Sequence, residues 1–105
     1  MIERVTCNKL RKGQLEYEID YQNRKLRIAE DKPENGFIGA AFDHRFISFD
    51  TINRVLESKS ALRARDFTEC FESHTGNNSG MLAAILKDLG VLVRFQNIFL
   101  VTRTL

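Results

Sequence analysis

Three polar residues in a row, Asn77, Asn78 and Ser79, stand just ahead of an apolar helical pattern. At a helix start such side chains either cap the first free N–H groups or turn outward to a base edge or a phosphate. Cations lie on both sides of them in sequence, Arg63 and Arg65 before and Lys87 and Arg94 after. Each could neutralise a phosphate and release a counterion. Gln96 and Asn97 add two more hydrogen-bonding side chains inside a tight turn. Taken alone, the three polar residues are a helix cap that needs no ligand, and Arg65 could as well pair with Glu69 four positions on.

The residue types of catalysis are present without partners. Cys70 shares an apolar helical face with Phe67 and Phe71 and reads as a small core residue, since no base accompanies it. His44 and His74 are lone loop histidines. Glu16, Glu18 and Asp20 could be paired carboxylates, but they alternate strictly with Leu15, Tyr17, Ile19 and Tyr21. That alternation marks a solvated strand face opposite a core face, so both tyrosines read as core and not as a base-stacking platform. The glycines around Asn77 to Ser79 come without the Lys of a phosphate-binding loop, and no nucleophile elbow or metal motif occurs. No enzymatic activity, metal or cofactor is expected.

Length and composition bound the rest. The chain has 105 residues, 43% hydrophobic and 29% charged, with one Pro and six Gly. That excludes disordered, fibrous and low-complexity classes. A chain this long buries about two-thirds of its unfolded surface, enough for one core and one domain over residues 1–105. Its apolar runs fall far short of the roughly 20 residues of a membrane span, and its first residues lack a secretory pattern. Two cysteines are too few for a disulfide framework, so a reduced, cytoplasmic protein is expected. Acidic and basic residues balance over 1–44, and the net charge of +2 falls on 45–105. This favours a nucleic-acid partner only weakly.

The elements that must position the polar groups follow from periodicity. Residues 15–21 and 25–28 alternate as two half-buried strands. A turn at Gln22-Asn23 would place Ile19 opposite Leu26 and Tyr17 opposite Ile28 inside, with Asp20 opposite Lys25 and Glu18 opposite Arg27 outside. Residues 2–10 add a strand before a turn near Lys12-Gly13, completing an antiparallel meander over 1–44. The aromatic-rich stretch 37–49 wraps the core with a short strand at 45–49. Asp50 or Thr51 caps a first helix with Ile52, Val55 and Leu56 inside, and a second helix spans about 64–73. The turn 75–80 opens a third, with Leu82, Ile85, Leu86 and Leu89 as its stripe and Gly90 as its stop. Two strand-like runs around Gln96-Asn97 form a closing hairpin. Val93, Phe95, Ile98 and Leu100 share one face of it, and Leu92, Phe99 and Val101 the other. The fold class is α+β.

From residue 50 onward this order, helix, helix, tight polar turn, helix and hairpin, together with the stretches Ala-Arg-Asp-Phe-Thr-Glu-Cys-Phe and Asn-Asn-Ser-Gly-Met-Leu-Ala-Ala-Ile-Leu-Lys-Asp-Leu-Gly, resembles a winged helix-turn-helix domain. The resemblance implies that the third helix lies in the major groove of double-stranded DNA and that the hairpin is the wing. Carried onto this sequence, the DNA-facing residues are Asn77, Asn78 and Ser79 at the helix start, Ala83 and Lys87 on its outer face, and Arg94, Gln96 and Asn97 on the wing, with Arg63 and Arg65 on the backbone. The expected function is a small DNA-binding regulator. The alternative is a protein-docking module, such as a small inhibitor or adaptor of the mobile-element type. A hairpin apolar on both faces must be covered twice, so either the N-terminal meander packs on it or Leu92, Phe99 and Val101 meet a protein partner or a second copy. No membrane association is expected.

Overall fold

The structure, a computed structural model, describes residues 1–34, 38–72 and 76–105. Phe37, His74 and Thr75, which figured in the readings above, lie outside the described residues. The architecture is α+β. Strands β1 (Ile2–Asn8), β2 (Gln14–Asp20), β3 (Lys25–Lys32) and β4 (Ile47–Ser48) form an antiparallel sheet in sequential order. The register is the one alternation demands, with Tyr17 opposite Ile28, Ile19 opposite Leu26 and Glu18 opposite Arg27. The polar face is a charged ladder: Arg4 reaches Glu16 at 3.0 Å and Glu18 at 3.3 Å, Lys32 reaches Glu16 at 3.0 Å, and Arg27 reaches Glu18 at 2.6 Å. Such exposed pairs add little each, so they select register while the apolar face supplies the energy.

The β2–β3 turn departs from expectation. Asp20 still pairs with Lys25, but residues 21–24 form the turn between them, and Asp20 is buried instead of wet. Its carboxylate accepts hydrogen bonds from the Asn23 backbone N–H at 3.1 Å and from Asn23 Nδ2 at 2.8 Å. An aspartate three residues before a turn amide satisfies that donor locally and tightens the turn. Tyr21, expected in the core, therefore falls in the turn and is exposed, its ring meeting that of Phe49 edge-on at 6.3 Å.

Helix α1 (Phe49–Leu56) buries Ile52, Val55 and Leu56. Its cap is Ser48, earlier than expected, because Ser48 ends β4 in extended conformation with its hydroxyl accepting from Thr51 N at 3.1 Å. Strand β5 (Ala61–Leu62) follows, too short to be read from sequence. The second helix is a 3₁₀ segment, Ala64–Cys70, ending short of residue 73 and burying Phe67. The Asp66 carboxylate accepts from Arg63 N at 2.7 Å at its start. In a 3₁₀ turn side chains three apart eclipse and those four apart do not, so Arg65 makes no ion pair with Glu69.

Helix α2 (Asn78–Asp88) ends as its sequence requires. Gly90 takes a positive φ of 75°, letting Val91 N donate to Leu86 O at 2.9 Å and Gly90 N to Lys87 O at 3.1 Å. Its burial is not a stripe, because Met81, Leu82, Ala83, Ala84, Ile85 and Leu86 are all buried in succession. The helix packs at once against β1, the 3₁₀ segment and β6 (Leu92–Phe95). Strand β7 (Ile98–Val101) lies between β5 and β6 in a second, three-stranded antiparallel sheet. The chain end is tied back to α1, with Leu105 N donating to Asn53 Oδ1 at 2.8 Å and Asn53 Nδ2 to Leu105 O at 2.9 Å.

The hairpin faces group as alternation predicts, but with the opposite sense. Leu92 and Phe99 belong to the core, and Val101 is half-buried, so these three do not form a surface for a partner. Phe99 is 3% exposed and Phe95 59%, and Val93 and Leu100 are likewise exposed. Only one face is covered by the described residues, because β7 turns Phe99 and β5 turns Leu62 toward the same buried cluster.

Candidate functional site

The loop joining β1 and β2, residues 9–13, carries Lys9, Arg11 and Lys12 within four positions. Lys9 closes it, its N–H donating to Gly13 O at 3.0 Å, while its ammonium meets the Asp31 carboxylate at 2.7 Å. The other oxygen of Asp31 accepts from Ala40 N at 2.7 Å, fixing residues 38–40 beside the loop. From the far side Arg94 Nη1 donates to Leu10 O at 3.1 Å. The loop is thus anchored at both shoulders, with Arg11 and Lys12 exposed and in no ion pair.

Between this loop and the start of α2 lies a cleft of about 820 Å³. Lys9, Arg11 and Lys12 form its basic wall, Leu10, Ala64 and Met81 its apolar lining, and Asn77 and Gly80 stand on its α2 side. Arg63 and Arg65 flank Ala64 in the chain, and both are exposed and unpaired with carboxylates. Of the expected residues, Asn77 lines the cleft, Arg94 reaches its loop through Leu10 O, and Arg63 and Arg65 adjoin it in the chain at Ala64. The basic loop itself is one that sequence reading passed over. The signal was present in Lys-Leu-Arg-Lys at positions 9–12, masked by the charge balance of the segment around it.

Other expected residues are placed elsewhere. Asn78 is 1% exposed, and its Oδ1 accepts from Asp43 N at 2.7 Å, so it secures the 38–46 segment to α2 and presents nothing to a base. Ala83 is 0% exposed and is not on an outer face, because α2 is packed between the 3₁₀ segment, β6 and β1. Ser79 is half-buried. Lys87 is exposed in the last turn, roughly 15 Å along the helix from Asn77 at 1.5 Å per residue. Gln96 and Asn97 are exposed at the hairpin tip.

The groups of nucleophilic chemistry are held in unreactive forms. Burial, then the charge of Asp88, pushes the Cys7 thiol up to about 12, and burial, then Glu69, does the same to Cys70 at about 12. A protonated thiol is a poor nucleophile. Glu16 is drawn down to about 2, chiefly by its hydrogen bond from Arg4. Among the described residues no three metal-ligating side chains lie together, and no helix is long and apolar enough to cross a membrane. In comparisons with known protein families, curated proteins and solved structures, the chain matches none.

Proposed function

We propose that the chain binds double-stranded nucleic acid through the phosphate backbone, using the basic cleft and its border. One observation carries this reading. Among the described residues, Arg11 and Lys12 stand exposed on the wall of one concavity without a carboxylate partner, and Arg63 and Arg65, which adjoin its lining residue Ala64, and Arg94, bonded to Leu10 O, also lack one. Lys25, Arg54, Lys87 and Arg103 are without a carboxylate partner too but lie outside its lining. Like charges left together and unneutralised repel one another in the free protein, and a polyanion relieves that repulsion while shedding its own counterions. The order of helices and hairpin supports a winged helix-turn-helix relationship for residues 45–105. The buried middle of α2 takes no part in groove reading, so binding is sequence-tolerant.

The test is an anisotropy titration of the full chain with a labelled duplex at about 50 and about 200 mM salt. Five phosphate contacts give a slope near −4.5 in log affinity against log salt, a several-hundredfold loss over that range. Replacing Arg11 and Lys12 together by Gln reduces the slope by about 2. No binding at the lower salt, or binding indifferent to salt, overturns the reading. Protein docking is the second reading, favoured by the outward Val93, Phe95 and Leu100. Residues 89–105 hold Arg94 and Arg103 and no acidic residue, so the partner it implies is a protein with an apolar strip edged by carboxylates.

A further inference from the structure

We propose that the cleft takes the phosphorylated end of a strand, a terminal phosphate monoester with its first nucleotide, in preference to continuous backbone. The inference rests on the nucleic-acid reading above and narrows it. Shape is the first argument. Continuous backbone can run along the border of the cleft, whereas Arg11 and Lys12 stand on the wall of a recess of about 820 Å³ that a strand end can enter. That volume is in the range of pockets that enclose small organic ligands.

Charge is the second. An internal phosphodiester carries one negative charge, while a terminal monoester carries roughly 1.5 to 2 at neutral pH. Lys9 is partly neutralised by Asp31, which leaves two uncompensated cations, Arg11 and Lys12, on the same wall to match a dianion. The lining is the third argument. Leu10, Ala64 and Met81 offer apolar surface beside the cations, suited to the flat body of a sugar and base and wasted on a bare inorganic ion. Finally, the α2 side of the cleft is bare backbone at Gly80, where an added Cβ would meet no atom within 4 Å. A side chain there would project into open space that a ligand can otherwise use.

The experiment compares full-length protein binding to one short duplex in three forms, with 5′-phosphates, with 3′-phosphates and with hydroxyl ends. A nucleoside monophosphate and inorganic phosphate serve as competitors. The expected result is about tenfold tighter binding of one phosphorylated form over the hydroxyl form, with displacement by the nucleoside monophosphate at lower concentration than by inorganic phosphate. The two phosphorylated duplexes distinguish which end is taken. Arg11→Gln with Lys12→Gln abolishes the preference, and Gly80→Ala raises the melting temperature while shrinking the preference. Equal, salt-sensitive binding of all three duplexes overturns the terminal-phosphate inference and leaves backbone binding standing. Absence of binding to every duplex overturns both. A preference that survives the Arg11 and Lys12 replacement overturns the assignment to this cleft.

Discussion

Tyr17 Oη donates a hydrogen bond of 2.7 Å to Asp88 Oδ2, joining the middle of β2 to the last turn of α2 across 71 positions of sequence. This bond ties the N-terminal sheet to the end of a helix whose middle, Met81 to Leu86, is buried against β1, the 3₁₀ segment and β6. Tyr17→Phe keeps the ring in the core and removes only the hydroxyl. We expect a loss of about 1–2 kcal/mol, the worth of one hydrogen bond to a charged acceptor that is partly solvated. Denaturant unfolding at neutral pH measures it, and an unchanged midpoint would remove the sheet-to-helix bond from the account of stability.

The same region sets an alkaline limit. Tyr17 is raised above its ordinary 10.0 by burial and then by Asp88, and the Cys7 thiol is raised from 9.0 to about 12. Both groups are neutral when folded, and the unfolded chain loses these protons first. Stability is therefore full below about pH 9 and declines as pH climbs toward 12. Melting temperatures taken across pH 7 to about 12 should be flat and then fall, with the fall beginning near the thiol's ordinary value. A profile flat to the top of that range contradicts the burial of both groups.

Ala83 separates a groove-facing helix from a buried one. On a solvent face Ala83→Leu is neutral. At a position with no exposure, the added methylenes cost about 1–3 kcal/mol. Leu86→Ala should cost about 2–5 kcal/mol as a core deletion. Thermal unfolding of the two variants decides the orientation of α2 without reference to any ligand.

Asn78 carries a structural load. Asn78→Ala removes the acceptor for the Asp43 amide, and a cost of about 1–3 kcal/mol follows if that donor stays buried. Amide exchange at Asp43 should accelerate. Affinity for different duplex sequences should shift by one common factor, and a change confined to particular sequences would return Asn78 to a reading role.

The hairpin offers a paired comparison. Phe99→Ala should cost about 3–5 kcal/mol, as for a large core side chain, while Phe95→Ala should stay within about 1 kcal/mol. Equal costs would mean that the outward face is covered in solution, and sedimentation of the Phe95 variant would then reveal the cover.

Sequence alone determined what depends on neighbours along the chain. Strict alternation from Leu15 to Ile19 specified both strand faces and the pairing with Leu26 and Ile28, since a slip of one residue would turn every apolar side chain outward. The Gly90 stop of α2 was equally legible, because a positive φ belongs to that residue type. The same alternation grouped Val93 with Phe95 and Leu92 with Phe99, but two apolar faces are equivalent until something packs on one of them. Alanine carries no such preference either, so Ala83 and Ala84 fit solvent or core equally well. Tertiary structure made those choices by packing α2 against β1, the 3₁₀ segment and β6, by pairing β7 with β5, and by bringing residues 9–12 beside Ala64 and Asn77. These are contacts between segments far apart in sequence, and no local periodicity encodes them.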